Sequence, residues 1–198
     1  MDRIESRTRY TSGARYVALR YAAWAVAMLV AFIASVVVAP GLSGVLGGGL
    51  ALTMIAIAAI DARHFVIPNK LVLAALALGL LEAYFSGTNR LAGDLVGSAL
   101  RATVLGALFL GFRIAYRHIR GREGLGLGDV KLAAVAGLWL DWMAAAIAID
   151  IATLTALAIV LVAVARGRKV SGYTKVPFGL FFAPAIWLSW LFEALISR

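Results

Sequence analysis

The sequence lacks cysteine altogether and contains only two histidines among its 198 residues. The absence of cysteine excludes disulfide bonds, cysteine-ligated zinc and a catalytic thiol. Acidic residues are also few, with ten Asp and Glu against nineteen Lys and Arg, so the formal net charge is +9. We find no internal repeat, no low-complexity linker and no clear cleavage site after the first apolar run, from Tyr21 to Ala39. We therefore interpret that run as a retained span rather than a signal peptide.

Apolar residues, by contrast, are abundant: they make up 63% of the chain, and the mean hydropathy is +0.92. Soluble domains average roughly 45–50% apolar residues. Because backbone groups in lipid must be hydrogen-bonded within their own segment, long apolar runs predict helices. The sequence therefore predicts an all-α, polytopic membrane helical bundle with a basic segment at 1–20 and one transmembrane domain at 21–198. The seven predicted spans are 21–39, 43–60, 71–86, 95–112, 129–142, 143–165 and 178–196, of which the third and fifth look short for a bilayer core of about 30 Å.

The basic residues predict the orientation of these spans. All but three of the nineteen Lys and Arg fall in four clusters, and cytoplasmic loops carry the Lys/Arg excess. We therefore expect a cytoplasmic N-terminus, an external C-terminus and attraction to anionic headgroups. Binding to nucleic acid is not expected, since no soluble platform presents the charge. The clusters are Arg3, Arg7, Arg9, Arg15 and Arg20; Arg63 and Lys70; Arg113, Arg117, Arg120, Arg122 and Lys131; and Arg166, Arg168, Lys169 and Lys175.

Two acids, Asp61 and Asp129, lie at predicted cytoplasmic helix ends beside backbone that is hard to keep helical. Pro68 and Asn69 follow the first acid, and alternating glycines precede the second. Taken singly, each acid also has an ordinary structural interpretation: Asp129 as a helix N-cap, and Asp61 as an interfacial partner of Arg63.

Neighbouring residues have ordinary interpretations too. His64 reads as an interface residue, because no second histidine or cysteine lies nearby to complete a metal site. Lys131 could extend to the headgroups. The glycine run lacks the spacing of a phosphate-binding loop. We therefore predict neither a metal nor a cofactor.

Taken together, the two acids suggest a reaction. Two neighbouring carboxylates cannot both ionise cheaply, so one retains a proton and the pair divides acid and base roles around a water molecule. Glycines before Asp129 would let a substrate backbone approach closely. The pattern is consistent with a membrane aspartic protease.

Three segments carry a resemblance to the type IV prepilin peptidase family. "GLGDVKL" (126–132) resembles its GxGD signature, "IDARHFVIPNKL" (60–71) its first-aspartate segment, and "KVPFGLFFA" (175–183) its late Pro-Phe-Gly element. The resemblance implies cleavage of the leader peptide of prepilin-like membrane proteins at the cytoplasmic face of the inner membrane, with Asp61 and Asp129 as catalytic residues. It implies supporting roles for Gly126, Gly128, Lys131, Pro68, Asn69, Pro177, Phe178 and Gly179.

Two departures from the family pattern qualify these expectations. The bifunctional members carry an N-terminal segment with paired cysteines, whereas the first 20 residues here contain none, so we expect no N-methyltransferase activity. Leu180 stands where the family has a second proline, and we expect this change to touch no catalytic atom. The short chain resembles the forms that serve tight-adherence pili or archaeal-type filaments.

Two other functions are compatible with the sequence: a catalytically silent assembly factor, and a small proton- or ion-coupled transporter using Asp61, Asp129 and Asp150. A transporter would place essential acids nearer the middle of the membrane and tends to show a repeat. The sequence specifies neither an oligomeric state nor a particular filament system.

The sequence also yields two structural predictions. Residues 113–128 are expected to form a mobile cytoplasmic segment, because four of the last eight are glycines. Arg101 and Asp150 are expected to face each other inside the bundle, or to share polar partners such as Thr103 and Thr153, because charges within spans usually pair. The alternative is that Arg101 extends outward to the interface while Asp150 is neutral and hydrogen-bonded.

Overall fold

The computed structural model describes residues 22–86, 91–167 and 177–196, which form seven helices and no strand. The predicted segment 1–20 lies outside the described residues, as do Lys175 and Val176. The helices, numbered in chain order, are α1 (Ala22–Val38), α2 (Leu42–His64), α3 (Asn69–Ser86), α4 (Leu91–Arg120), α5 (Leu127–Trp139), α6 (Trp142–Ala165) and α7 (Phe178–Ile196). The all-α prediction is confirmed, and each helix covers one predicted span.

The helices differ in whether they are long and apolar enough to cross a membrane. Four segments in the described part of the chain are long and apolar enough to cross a membrane: α2, Leu95–Arg120 of α4, α6 and α7. The apolar α1 is shorter. At 1.5 Å per residue the 13 residues of α5 extend only about 20 Å, less than a bilayer core of about 30 Å. The chain is thus a multi-pass membrane protein in which α5 packs within the bundle.

The core lies where α2, α5 and α7 meet. Its fully buried side chains include Leu50, Ile57, Leu132, Phe182 and Ile186. α4 packs closely along α5, because a Cβ added at Gly137 of α5 would lie 2.5 Å from the carbonyl oxygen of Arg101. Short α5 is therefore enclosed by its neighbours, which agrees with its eight buried residues.

The glycines that open α2 serve helix packing. An added Cβ at Gly47 would lie 1.9 Å from the Trp190 ring of α7, and one at Gly48 would lie 2.5 Å from the Phe32 ring of α1. Because no Cβ is present, aromatic rings of two neighbouring helices rest directly on the α2 backbone.

The predicted pairing of Arg101 with Asp150 is wrong. The Arg101 guanidinium donates to the carbonyl oxygen of Leu140 at 2.8 Å and to the hydroxyl of Ser98 at 2.9 Å. Asp150 is exposed on α6. The physical reason is the position of α5, which packs against both α4 and α6 and supplies the carbonyl group at its own C-terminal end.

The prediction of a mobile segment over 113–128 also needs correction. Residues 113–120 continue α4, which is eight residues longer at its C-terminal end than the predicted span. The connection to α5 is therefore short, and it folds back on α4: Arg113 bonds the carbonyl oxygen of Leu125 at 2.7 Å, and a Cβ added at Gly124 would lie 2.5 Å from the Tyr116 ring.

Candidate active site

Asp61 lies in the last turn of α2 and is 5% exposed. The helix ends because Phe65 adopts a left-handed conformation, with φ of 53°, while its amide still bonds the Asp61 carbonyl oxygen at 2.9 Å. Residues 66–68 are not helical, and Pro68 immediately precedes α3. The interruption predicted from the Pro-Asn pair therefore lies directly beside the buried acid.

The Asp61 carboxylate is held by the N-terminus of α7. The Leu180 amide donates to Asp61 Oδ2 at 3.0 Å, and the Gly179 amide also bonds this carboxylate. A Cβ added at Gly179 would lie 2.9 Å from Asp61 Oδ2, so a side chain there would collide with the acid. Free amides at a helix N-terminus favour a negative group, so the main chain of the first turn of α7 binds the carboxylate.

The expectation that Leu180 touches no catalytic candidate is wrong, because its backbone contacts Asp61 directly. Proline has no backbone N–H and could not donate this hydrogen bond. The departure from the family's second proline therefore adds a donor to the site. A side-chain comparison cannot reveal this, since the contact is made by the main chain. The alternative pairing of Asp61 with Arg63 is not favoured, because Arg63 is exposed whereas Asp61 is buried.

Asp129 is 8% exposed and lies in the first turn of α5, outside the four candidate spans. Gly126 occupies the N-cap position, so the interpretation of Asp129 as the N-cap is wrong. The acid is the third helical residue, and its Oδ2 accepts from the Gly126 amide at 3.0 Å. Burial raises the pKa of Asp129 to about 6; the Gly126 hydrogen bond lowers this pKa, and the charge of Asp61 raises it. The two acids are therefore close enough to interact electrostatically.

Ile67, in the connection between α2 and α3, lies between the two acid-bearing segments. Its Cδ1 would lie 2.8 Å from a Cβ added at Gly128, next to Asp129, and 2.8 Å from one added at Gly179. Both glycines therefore allow the α5 and α7 N-termini to approach the same side chain. The sequence predicts roles for the glycines but none for Ile67, although this residue lies within the 60–71 segment.

Lys131 and Asn69, both predicted as supporting residues, contact each other. The Lys131 ammonium donates to Asn69 Oδ1 at 2.6 Å and so joins the first turns of α5 and α3. This contact accounts for Lys131 without an extension to the headgroups. His64 is exposed at the end of α2, in agreement with an interface position. No group of three or more His, Asp or Glu in the described parts of the chain is placed to hold a metal ion.

All the predicted site residues thus lie at one end of the bundle. The C-terminus of α2 and the N-termini of α3, α5 and α7 meet there, and the C-terminal end of α4 covers the connection to α5. We call this the Asp61–Asp129 end. The site therefore consists of two interacting buried acids on separate helices of a multi-pass membrane protein. These features define the class of protein: a membrane protein with a pair of buried acids at one end of its helical bundle.

Comparison with known proteins gives the family. The sequence model of the type IV leader peptidase family matches residues 48–164, and the chain belongs to this family. The prepilin leader peptidase/N-methyltransferase of Pseudomonas aeruginosa is 34% identical over 145 residues, covering 73% of this chain and 48% of that protein. The protein of the same name from Dichelobacter nodosus is 33% identical over 147 residues, covering 74% and 48%.

A further relative of that name, from Burkholderia pseudomallei, is 37% identical over 140 residues, covering 68% of this chain and 42% of the relative. The chain spans about half the length of the curated relatives it matches. No solved structure matches this chain.

Proposed function

We propose that this protein is an aspartic endopeptidase that removes the leader peptide of prepilin-like membrane proteins. One observation carries the proposal: two buried carboxylates from different helices interact at one end of the bundle, each hydrogen-bonded by backbone amides. Membership of the type IV leader peptidase family supports it, as do the names of the relatives. The peptidase unit would comprise residues 21–198.

The two acids differ in ways that suggest separate roles. Asp61 accepts a hydrogen bond from the Leu180 amide at the α7 N-terminus, and free amides at a helix N-terminus favour a negative group. Asp129 accepts one such bond, and its raised pKa favours retention of a proton. In the proposed reaction Asp61 removes a proton from water, which attacks the scissile carbonyl carbon while Asp129 donates a hydrogen bond and then a proton to its oxygen. Collapse of the tetrahedral intermediate breaks the C–N bond, the departing amine takes the proton that Asp61 accepted, and one hydroxyl proton returns to Asp129 as the carboxylic acid product forms.

The basic residues suggest on which side of the membrane the site lies. Arg63, Arg113, Arg117 and Lys131 lie at the Asp61–Asp129 end, and an excess of basic residues is typical of the cytoplasmic side. We therefore propose a site at the cytoplasmic face of the inner membrane, with the basic residues beside anionic headgroups. The substrates would be helices in the same membrane that present their leader junction at the depth of the acids. We expect neither nucleic-acid binding nor N-methyltransferase activity.

The acid positions also separate this proposal from a transporter. Asp61 lies three residues from the C-terminal end of α2 and Asp129 in the first turn of α5, so neither is central in a span. A transporter would need its acids nearer the middle of the membrane. Asp150, the third acid considered for that function, is exposed on α6.

Co-expression with a prepilin encoded in the same genome tests the proposal. The wild-type chain should shorten the prepilin on a gel, and Asp61→Asn or Asp129→Asn should each reduce processing by at least about 1,000-fold while the protein still accumulates, because an amide cannot exchange the proton. Glu193→Gln, an acid at the other end of the bundle, is the matched control and should process normally. Near-normal processing by either Asn variant would refute the acid pair as the catalytic site.

A further inference from the structure

Arg113, in the C-terminal part of α4, makes two close contacts with the connection to α5. Its Nη1 donates to the carbonyl oxygen of Leu125 at 2.7 Å, and its Nη2 pairs with Glu123 Oε1 at 2.6 Å. The Arg113 side chain is only 12% exposed. A planar guanidinium can bond two acceptors at once and is always charged, so its donors are available to both groups.

The Leu125 carbonyl belongs to the same peptide group as the Gly126 amide. That amide donates to Asp129 Oδ2 at 3.0 Å, on the opposite side of the planar unit. A rotation of this one peptide would break its hydrogen bonds to Arg113 and to Asp129 together. The orientation of the Asp129 carboxylate is thereby linked to a side chain of α4 that touches neither acid.

The composition of the connection makes such a link necessary. Gly124 and Gly126 flank the bonded carbonyl, and glycine leaves many backbone conformations accessible. Tyr116, one turn after Arg113, covers Gly124 at a distance that leaves no room for a Cβ. Two side chains of one helical face therefore restrict a segment that its own sequence does not restrict.

We propose that Arg113 is a positioning residue that fixes the orientation of Asp129 through the Leu125–Gly126 peptide group. The inference rests on the proposed function, because it assigns Arg113 to the reaction of that site. It goes beyond the acid pair, since the sequence analysis placed Arg113 only among the cytoplasmic basic residues.

The first arm of the test is kinetic. Arg113→Gln should lower kcat for leader cleavage by about 10- to 100-fold with KM changed less than about twofold, because a misplaced catalytic group affects the chemical step. Arg113→Lys, which can keep one of the two hydrogen bonds, should give an intermediate kcat. Arg117→Gln is the matched control: it lies on the same helix and faces the same Glu123, but at 3.9 Å and 69% exposed, and it should cleave normally.

The second arm measures position without activity. Because the chain has no cysteine, thiols introduced by Val66→Cys and Leu127→Cys are the only ones to carry spin labels. Both residues are more than half exposed, and they adjoin the Ile67–Gly128 contact. The distance distribution between the labels should be narrow in the otherwise wild-type protein and with Arg117→Gln. It should broaden with Arg113→Gln and broaden less with Arg113→Lys.

The two arms separate the possible failures. A narrow distribution with Arg113→Gln would overturn the positioning role whatever the activity, and so would equal kinetic losses for Arg113→Gln and Arg117→Gln. If no prepilin is cleaved by the wild-type chain, the proposed function fails while the label distances still show whether Arg113 fixes the connection. If Arg113→Gln does not fold, Arg113→Lys decides: an intermediate broadening supports the inference, and wild-type behaviour contradicts it.

Discussion

At one end of the bundle Asp61 and Asp129 are held by backbone amides, whereas at the other end Glu193 lies within reach of the charge of Arg101. Glu193 also accepts from the Asp141 amide at 3.4 Å, and Asp141 caps α6 through the Ala144 amide at 2.6 Å. At this second end the Asp141 carboxylate completes a helix terminus, and Glu193 lies near both Asp141 and Arg101. We call it the Arg101–Glu193 end.

The cations at the Asp61–Asp129 end contact other groups. Lys131 bonds Asn69, and Arg113 bonds Leu125 and Glu123. The hydrogen bonds that the structure describes for the two acids come from main-chain amides instead. Burial of two interacting carboxylates costs free energy unless one of them keeps its proton, and such an arrangement is typical of functional sites. The comparison therefore teaches that position in the fold, not residue type, separates reactive from structural acids.

Among variants that leave both acids in place, the largest effect should follow from Gly128→Val, which would place a side chain where Ile67 lies 2.8 Å away. Displacing the α5 N-terminus should lower leader cleavage on the order of 100-fold, because small misplacements of catalytic groups have effects of this size. Gly111→Val is the matched control, since nothing lies within 4 Å of a Cβ added there. Equal activities for the two variants, measured by gel at matched protein levels, would show that Gly128 does not set the geometry of the site.

The second prediction concerns stability and pH. Because the pKa of Asp129 rises from 3.8 to about 6 on folding, the folded protein carries a penalty that is complete above about pH 6 and is relieved as the pH falls toward 4. Asp129→Asn removes the ionisable group, so it should stabilise the protein by up to about 3 kcal/mol at pH 7 and by roughly half as much at pH 5.

Thermal unfolding in detergent at pH 7 and pH 5 measures this difference. The wild-type protein, measured at the same two pH values, is the reference for each change in stability. A stabilisation by Asp129→Asn of the same size at both pH values would contradict a raised pKa at this position.

A third and smaller effect is expected at the Arg101–Glu193 end. Arg101→Leu removes the hydrogen bonds to Leu140 and Ser98 and should destabilise the protein by about 1–3 kcal/mol, while cleavage per folded molecule stays unchanged. Since Arg101 does not pair with Asp150, adding Asp150→Leu should give an additive result within about 0.5 kcal/mol. Thermal unfolding measures the stability of both variants. If the double variant recovered stability, the pairing of Arg101 with Asp150, which the structure contradicts, would be supported after all.

The smallest effect is predicted for Leu180→Pro, which restores the family's second proline but removes the amide donor to Asp61. Proline is tolerated in the first turn of a helix, so the fold should be retained. Loss of one bond to the ionised carboxylate should move the acid limb of the pH–rate profile to higher pH, with activity near pH 5 reduced about severalfold. Leu180→Ala keeps the amide and should leave the profile unchanged; superimposable profiles for all three proteins would exclude a role for this bond.

Much of this organisation is predictable from the sequence, because each feature depends on local patterns. Apolar runs alone predict seven helices at nearly their observed positions, because a helix surrounded by lipid needs apolar residues along its length. The interruption after Asp61 and the start of α5 at the GxGD glycines are also local, being set by Pro68 and by Gly126. The resemblance of three short segments was enough to single out both acids.

Other features required the tertiary structure. The extension of α4 over residues 113–120 was missed because charged residues continue a helix beyond the apolar run that predicts it. Arg101 was paired with the wrong partner because depth along a span does not reveal which helices are neighbours. No sequence pattern predicts a role for Ile67. Its position between the N-termini of α5 and α7 exists only after these helices have packed in the bundle.

The sequence by itself determined the helices, the membrane environment and the identity of the two acids, since these depend on residue type and spacing along the chain. Only the tertiary structure decided what contacts those acids: the Leu180 amide at Asp61 and the Arg113-bonded peptide at Asp129. Both contacts are made by main-chain groups, which every residue other than proline carries alike. Their partners are fixed by the packing of distant helices, and no side-chain pattern encodes that packing locally.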